Sequence, residues 1–189
     1  MRNLKLLSLV LLLLFSFQEG IAQTYKIDVS KSVINWIGKK ITGQHEGTIN
    51  FKDGYLIFKD KKVAGGSFTA DMKSLSNNDQ TGSSKQKLEG HLKSEDFFNI
   101  DNFTTATLTF KNLAPKGNNT YLVNADLTIK GITNSIQFDL VMLGKNKATA
   151  YLSVNRTKYD IKYGSGSYFD DLGDKTIYDN FELNVVLVF

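Results

Sequence analysis

Apolar and polar residues alternate at period two in one short run after another from Thr24 to the end of the chain, and nowhere in that stretch does a 3.6-residue apolar period persist. The clear runs are Ile34/Trp36, Ile49/Phe51, Leu56/Phe58, Phe68/Ala70/Met72, Ala106/Leu108/Phe110, Tyr121 to Ile129, Ile136 to Met142, Ala148 to Val154 and Phe181 to Phe189. Thr, Asn, Asp, Gln, Glu and Lys fill most of the intervening positions, so each run has one dry and one wet face. Turn residues separate the runs at Lys52-Asp53-Gly54, Lys116-Gly117-Asn118-Asn119, Lys130-Gly131 and Gly144-Lys145-Asn146, which predicts a meander of hairpins with Pro115 in one of the turns. The exception is 81–99, where Gln86-Lys87-Leu88-Glu89 and a capping-type Ser94-Glu95-Asp96 predict a short helical insert over 82–99, packed across one end of the sheet.

Roughly nine strands with a single apolar face each must bury that face, and one short helix cannot cover them. Closing the sheet into an antiparallel barrel removes the edges and buries the face together; a two-sheet sandwich satisfies the same pattern.

Before the first run, Arg2 and Lys5 precede the apolar stretch Leu6-Leu7 and Leu9 to Phe15, and Gly20-Ile21-Ala22 supplies small residues. This predicts a signal peptide over 1–22, cleaved after Ala22, a single domain over 23–189, no membrane span after cleavage, and a periplasmic or secreted protein. The chain has no cysteine, so a disulfide framework, a thiolate nucleophile and a Cys-based metal site are all excluded. A formal net charge of +4 is too small and too scattered for a nucleic-acid partner, and the Lys59-Asp60-Lys61-Lys62 cluster reads as a solvated turn.

Candidate chemistry is sparse. No Gly-x-Ser-x-Gly elbow, paired-carboxylate motif or base-activated nucleophile occurs, so no catalytic residue and no cofactor is assigned. His45 and His91 lack a third ligand at metal spacing, and Asp170, Asp171, Asp174 and Asp179 do not follow a calcium-loop pattern. His91 is expected to fix the end of the helix, and Arg156 either pairs with a local carboxylate or touches a ligand. The dry face interleaves aromatic side chains with Ala70, Ala106, Ala125, Ala148 and Ala150. Such a mixture either leaves a channel or interlocks into a solid core.

Three motifs carry a resemblance to a known family. Gly90-His91-Leu92-Lys93-Ser94-Glu95-Asp96-Phe97-Phe98 before an alternating strand, Leu127-Thr128-Ile129-Lys130-Gly131-Ile132-Thr133, and Tyr25-Lys26-Ile27-Asp28 with Ser32-Val33-Ile34-Asn35-Trp36 together resemble YceI-like proteins, in order along nearly the whole mature chain. The chain departs from the family pattern at Lys40, Phe103-Thr104, Asn134-Ser135 and Asn155. The resemblance implies a lipocalin-like barrel of about eight strands whose lumen holds a long apolar isoprenoid, a polyprenol or a quinone, without turnover. The lumen residues it implies are Ile34, Trp36, Ile49, Phe51, Phe58, Phe68, Leu108, Phe110, Leu127, Phe138, Leu140, Leu152, Phe181 and Leu183, with Lys40, His91 and Arg156 as head-group contacts. A homodimer stays open, as does a solid-cored protein that acts through its outer surface.

Overall fold

The structure is a computed structural model that describes residues 21–189. The expected signal peptide lies, but for its last two residues, outside them. Nine strands and one helix follow in the order β1 (Ala22–Lys26), β2 (Val33–Lys40), β3 (Gly43–Lys59), β4 (Lys62–Asn77), α1 (Gly82–Lys93), β5 (Thr105–Gly117), β6 (Thr120–Ile129), β7 (Ile132–Met142), β8 (Lys147–Asn155) and β9 (Ile177–Val188). From β2 onward each strand pairs antiparallel with the next, and β9 returns to pair with β2, so eight strands close into a barrel. β1 lies end to end with β2 along β3, where Tyr25 faces Leu56. No helix among the described residues is long and apolar enough to cross a membrane.

The expected alternation is cleanest in β6, where Val123, Ala125, Leu127 and Ile129 are buried and their neighbours are not. Three two-residue turns, Asp60-Lys61, Asn118-Asn119 and Lys130-Gly131, have positive φ at both positions, the geometry whose twist matches a tight hairpin. The predicted turn at Lys52-Asp53-Gly54 is instead a bulge inside one long strand, with the β3–β4 register slipping between Phe51 and Asp53. The extra residue lets Ile49 and Phe51 point inward before the bulge and Leu56 after it, a change of phase that a hairpin would equally explain. Pro115 also falls in a strand rather than a turn. It sits in β5 opposite Tyr121, beyond Thr109, the last β5 residue paired with β4, where one side of the strand is already unpaired.

The predicted insert is α1 and the turns after it, and it crosses the end of the barrel where β4 finishes. Glu89 anchors the helix by accepting from the Asn77 N–H at 2.8 Å and the Ser76 hydroxyl at 3.1 Å. Beneath it Trp36 donates its indole N–H to the Ser76 carbonyl at 3.2 Å. Gly47 makes this crossing fit, because a Cβ there would lie 1.9 Å from the Ser76 oxygen and 2.6 Å from the Trp36 ring. Gly47→Ala is therefore expected to cost about 3 kcal/mol by overpacking, read as a lower urea midpoint at unchanged slope; an unchanged midpoint would show that the strands can part without penalty.

Candidate functional site

The barrel interior is not filled. A chamber of ≈ 830 Å³, counting space open at its mouth, occupies the lumen, and Thr107 contributes the one hydroxyl on a wall otherwise built from Ala, Val, Leu, Ile, Met and Phe. A second chamber of ≈ 810 Å³, measured the same way, lies beneath α1. Ile49, Phe98, Phe181 and Leu183 border both, so the two chambers adjoin. Between them Phe98 meets Phe181 edge to face, with ring centroids 6.2 Å apart.

The inner wall holds all of the sequence-predicted lumen residues except Trp36 and Phe58. Trp36 lines the outer chamber. Phe58 lines neither: it packs on Tyr25 at 5.3 Å and Phe189 at 5.7 Å, and this aromatic group closes the end of the barrel opposite α1. The small residues Ala70, Ala106 and Ala150 lie on the inner wall and leave the space that larger side chains would occupy. Phe98 was not among the predicted lumen residues, because it follows α1 outside any alternating run; the adjacent aromatic pair Phe97-Phe98 was its signal.

Lys40, His91 and Arg156, far apart in the chain, all border the outer chamber. Their states differ. Arg156 is 2% exposed and donates from Nε to the Tyr178 carbonyl at 3.1 Å, from Nη1 to Ile161 at 2.8 Å and from Nη2 to Ile177 at 3.0 Å. Its guanidinium carbon stands 5.6 Å from the Phe97 ring centroid, and Asp179 lies 3.8 Å from Nη2. Burial draws the Arg156 pKa down, while the Asp179 carboxylate opposes that shift. The side chain thus locks the turn after β8 to the start of β9, and its donors are directed at the protein rather than at the chamber.

Lys40 is exposed at the rim, and its neighbour Lys39 pairs with Glu182. The His91 backbone carbonyl accepts from the N–H and hydroxyl of Ser94, so the helix end is fixed by the main chain and not by the ring. The imidazole packs edge-on against Tyr163 at 4.4 Å and Phe97 at 5.5 Å, and its buried Nε2 has no hydrogen-bond partner among the described residues. On the neighbouring strand β3, where His45 faces Gly38, His45 Nδ1 lies 2.8 Å from Asp79. Burial pushes the Asp79 carboxyl up, but the Glu46 N–H, His45 and the Asn77 amide outweigh it and bring its pKa to about 2.

An eight-stranded meander barrel with an apolar lumen, one end closed by side chains and the other roofed by a helix, is a lipocalin-like protein. The family model of the YceI-like domain matches residues 25–189, and the chain belongs to that family. A UPF0312 protein of Photorhabdus laumondii is 27% identical over 172 residues, 87% of this chain and 85% of the relative. One from Staphylococcus aureus is 36% identical over 85 residues, 40% of this chain and 47% of the relative. Among solved structures, Burkholderia cenocepacia BcnA superposes with a TM-score of 0.70 at 22% identity, covering 86% of this chain and 99% of its own. A polyisoprenoid binding domain from Saccharophagus degradans gives 0.57 at 16% identity, with 86% and 95% covered.

Two outcomes test the electrostatic reading of the rim. Arg156→Met should cost about 3–5 kcal/mol in chemical denaturation, with Arg156→Lys restoring little, because one ammonium cannot reach three diverging carbonyls. For Asp79, a folded-state pKa below the ordinary value means that the ionised carboxylate stabilises the fold above about pH 4 and loses that effect as pH falls toward 2. Asp79→Ala should then cost about 1 kcal/mol at pH 7, after allowance for screening, and nothing once the pH is below 2; a difference independent of pH would contradict it.

Proposed function

We propose that the protein binds and carries, or sequesters, a long-chain isoprenoid lipid of the polyprenol or quinone type, without chemical turnover, in a periplasmic or extracellular compartment. The observation that carries this is the inner chamber, an elongated apolar space with no titratable side chain on its wall. Such a wall binds hydrocarbon and offers no group for proton or acyl transfer. Burying an isoprene unit of five carbons contributes about 3 to 4 kcal/mol gross, so a few units outweigh the cost of association without a charged anchor. The shared fold with a polyisoprenoid binding domain supports the same reading.

The tail would lie in the inner chamber against Phe51, Phe68, Phe110 and Phe138, and the Phe98 and Phe181 rings would part to leave its head in the outer chamber. Native mass spectrometry of protein purified from a bacterial host, with organic extraction of what it carries, is expected to give a prenyl lipid at one per chain. Empty protein, together with no thermal shift on adding polyprenols or prenyl quinones, would overturn the reading. Ala150→Phe places a ring in the inner chamber and should weaken lipid binding at least tenfold while the circular dichroism spectrum is retained.

A further inference from the structure

We propose that the end of the barrel opposite α1 is a hinged floor, made of β1 with the adjoining ends of β3 and β4, which swings outward so that a lipid tail longer than the inner chamber runs on through it. The proposal rests on the lipid-binding reading above and adds how the barrel meets tail length.

β1 pairs with β3 from Ala22 opposite Lys59 to Lys26 opposite Tyr55, and the same stretch of β3 pairs on its other side with β4 from Lys62 to Ser67. Among the described residues, no ladder joins either outer edge of this three-stranded piece to the rest of the barrel. β4 meets β5 only from Ser67 opposite Thr109 to Asp71 opposite Thr105, on the α1 side of the piece. Below that level β5 runs on to Gly117 paired with β6 alone, so the wall is split. The limits of the free piece share one height. Ser67 and Lys26 both face Tyr55, the Asp28 N–H donates to the Val188 carbonyl at 2.7 Å, and β3 slips register against β4 between Phe51 and Asp53. A bulge bends its strand, so these points define a pivot.

Below the pivot, side chains close the free edges. On one side Tyr25 and Phe58 rest against the Phe189 ring. On the other, the Phe110 ring packs where a Cβ at Gly66 would come within 3.1 Å, and the Val63 N–H reaches the Tyr121 hydroxyl at 3.4 Å. Rings slide apart without stranding polar groups, whereas parting a ladder leaves buried N–H and C=O groups unpaired at every step. Leu56 and Val63 are buried beneath the floor, and Phe110 also lines the inner chamber. Opening an empty floor wets this apolar surface, but a tail passing Phe110 covers it, so only a tail long enough to arrive there favours the open state.

The chain has no cysteine, so Ala64→Cys and Ala114→Cys, exposed positions on the two free edges, can be tied with a bis-maleimide; the same variant capped with N-ethylmaleimide is the untied control. Delipidated protein is titrated with farnesol, a short prenyl alcohol, and with solanesol, a long one, each read by displacement of cis-parinaric acid. Wild-type and capped protein should bind solanesol at least as tightly as farnesol. The tie should weaken solanesol about tenfold or more and leave farnesol within about twofold.

Solanesol that binds the tied and wild-type proteins alike, that fails on the wild type where farnesol binds, or that is weakened no more than farnesol overturns the inference while the carrier reading stands. Failure of both alcohols on the wild type removes the carrier reading itself. If the tie does not form, amide exchange of the wild type decides: solanesol should speed exchange of the Val63 N–H relative to farnesol, and an equal rate overturns the inference.

Discussion

The ladder between β2 and β9 is the constraint on which everything else depends, because it joins the first long strand to the last and turns a nine-strand sheet into a vessel. Val33 faces Val186, Trp36 faces Leu183 and Gly38 faces Phe181. Beyond the ladder the Asp28 N–H donates to the Val188 carbonyl at 2.7 Å, and Ser32 Oγ accepts from the Val188 N–H at 3.0 Å. Were this seam open, both edges would expose unpaired backbone and the apolar face would have no inside to point to. The seam also brings Trp36 from one end of the chain beside Phe181 and Leu183 from the other, so the barrel's wall exists only once the slowest, most non-local pairing has formed.

How much of this could be read from residues alone depended on whether a signal was local. Alternation fixed the inward face of β6 through Val123 to Ile129, and turn chemistry marked Lys130-Gly131, because both are decided within a few residues. Bulges were misread for a physical reason. A strand that changes phase, as β3 does between Phe51 and Leu56, has the same one-dimensional pattern as two strands joined by a turn, and Asp53-Gly54 is acceptable chemistry for either. What separates them is the partner strand, since Gly54 is pressed against Phe68, where a Cβ would lie 2.6 Å from the ring. That contact lies outside any local window.

The same division holds at the site. Lumen residues on alternating strands were legible, and so was the gathering of Lys40, His91 and Arg156 once the family resemblance was drawn. Whether aromatics and alanines leave a channel was not legible, because packing density is a property of three dimensions. Phe58 illustrates the difficulty: its phase is right, but its height along the barrel puts it in the floor with Tyr25 and Phe189. Arg156 shows the opposite case. A lone arginine after a strand suggests a local carboxylate or a ligand contact, whereas two of its three carbonyl partners, Ile177 and Tyr178, lie more than twenty residues on, at the start of β9.

These placements divide the chemistry of the barrel interior along one axis. The inner chamber can favour length and width but not chemical identity, since hydrocarbon contacts are non-directional and scale with area. Polar side chains begin in the outer chamber, beneath α1. There the protein has satisfied many of its own charges, holding the roof down with Glu89, the start of β3 with Asp79 and the β8–β9 connection with Arg156. The charges held this way brace the connections of the barrel, while Lys40 borders the outer chamber with its side chain exposed. The barrel can therefore keep its inner wall apolar, because the ionic groups that fix its connections are satisfied outside that wall.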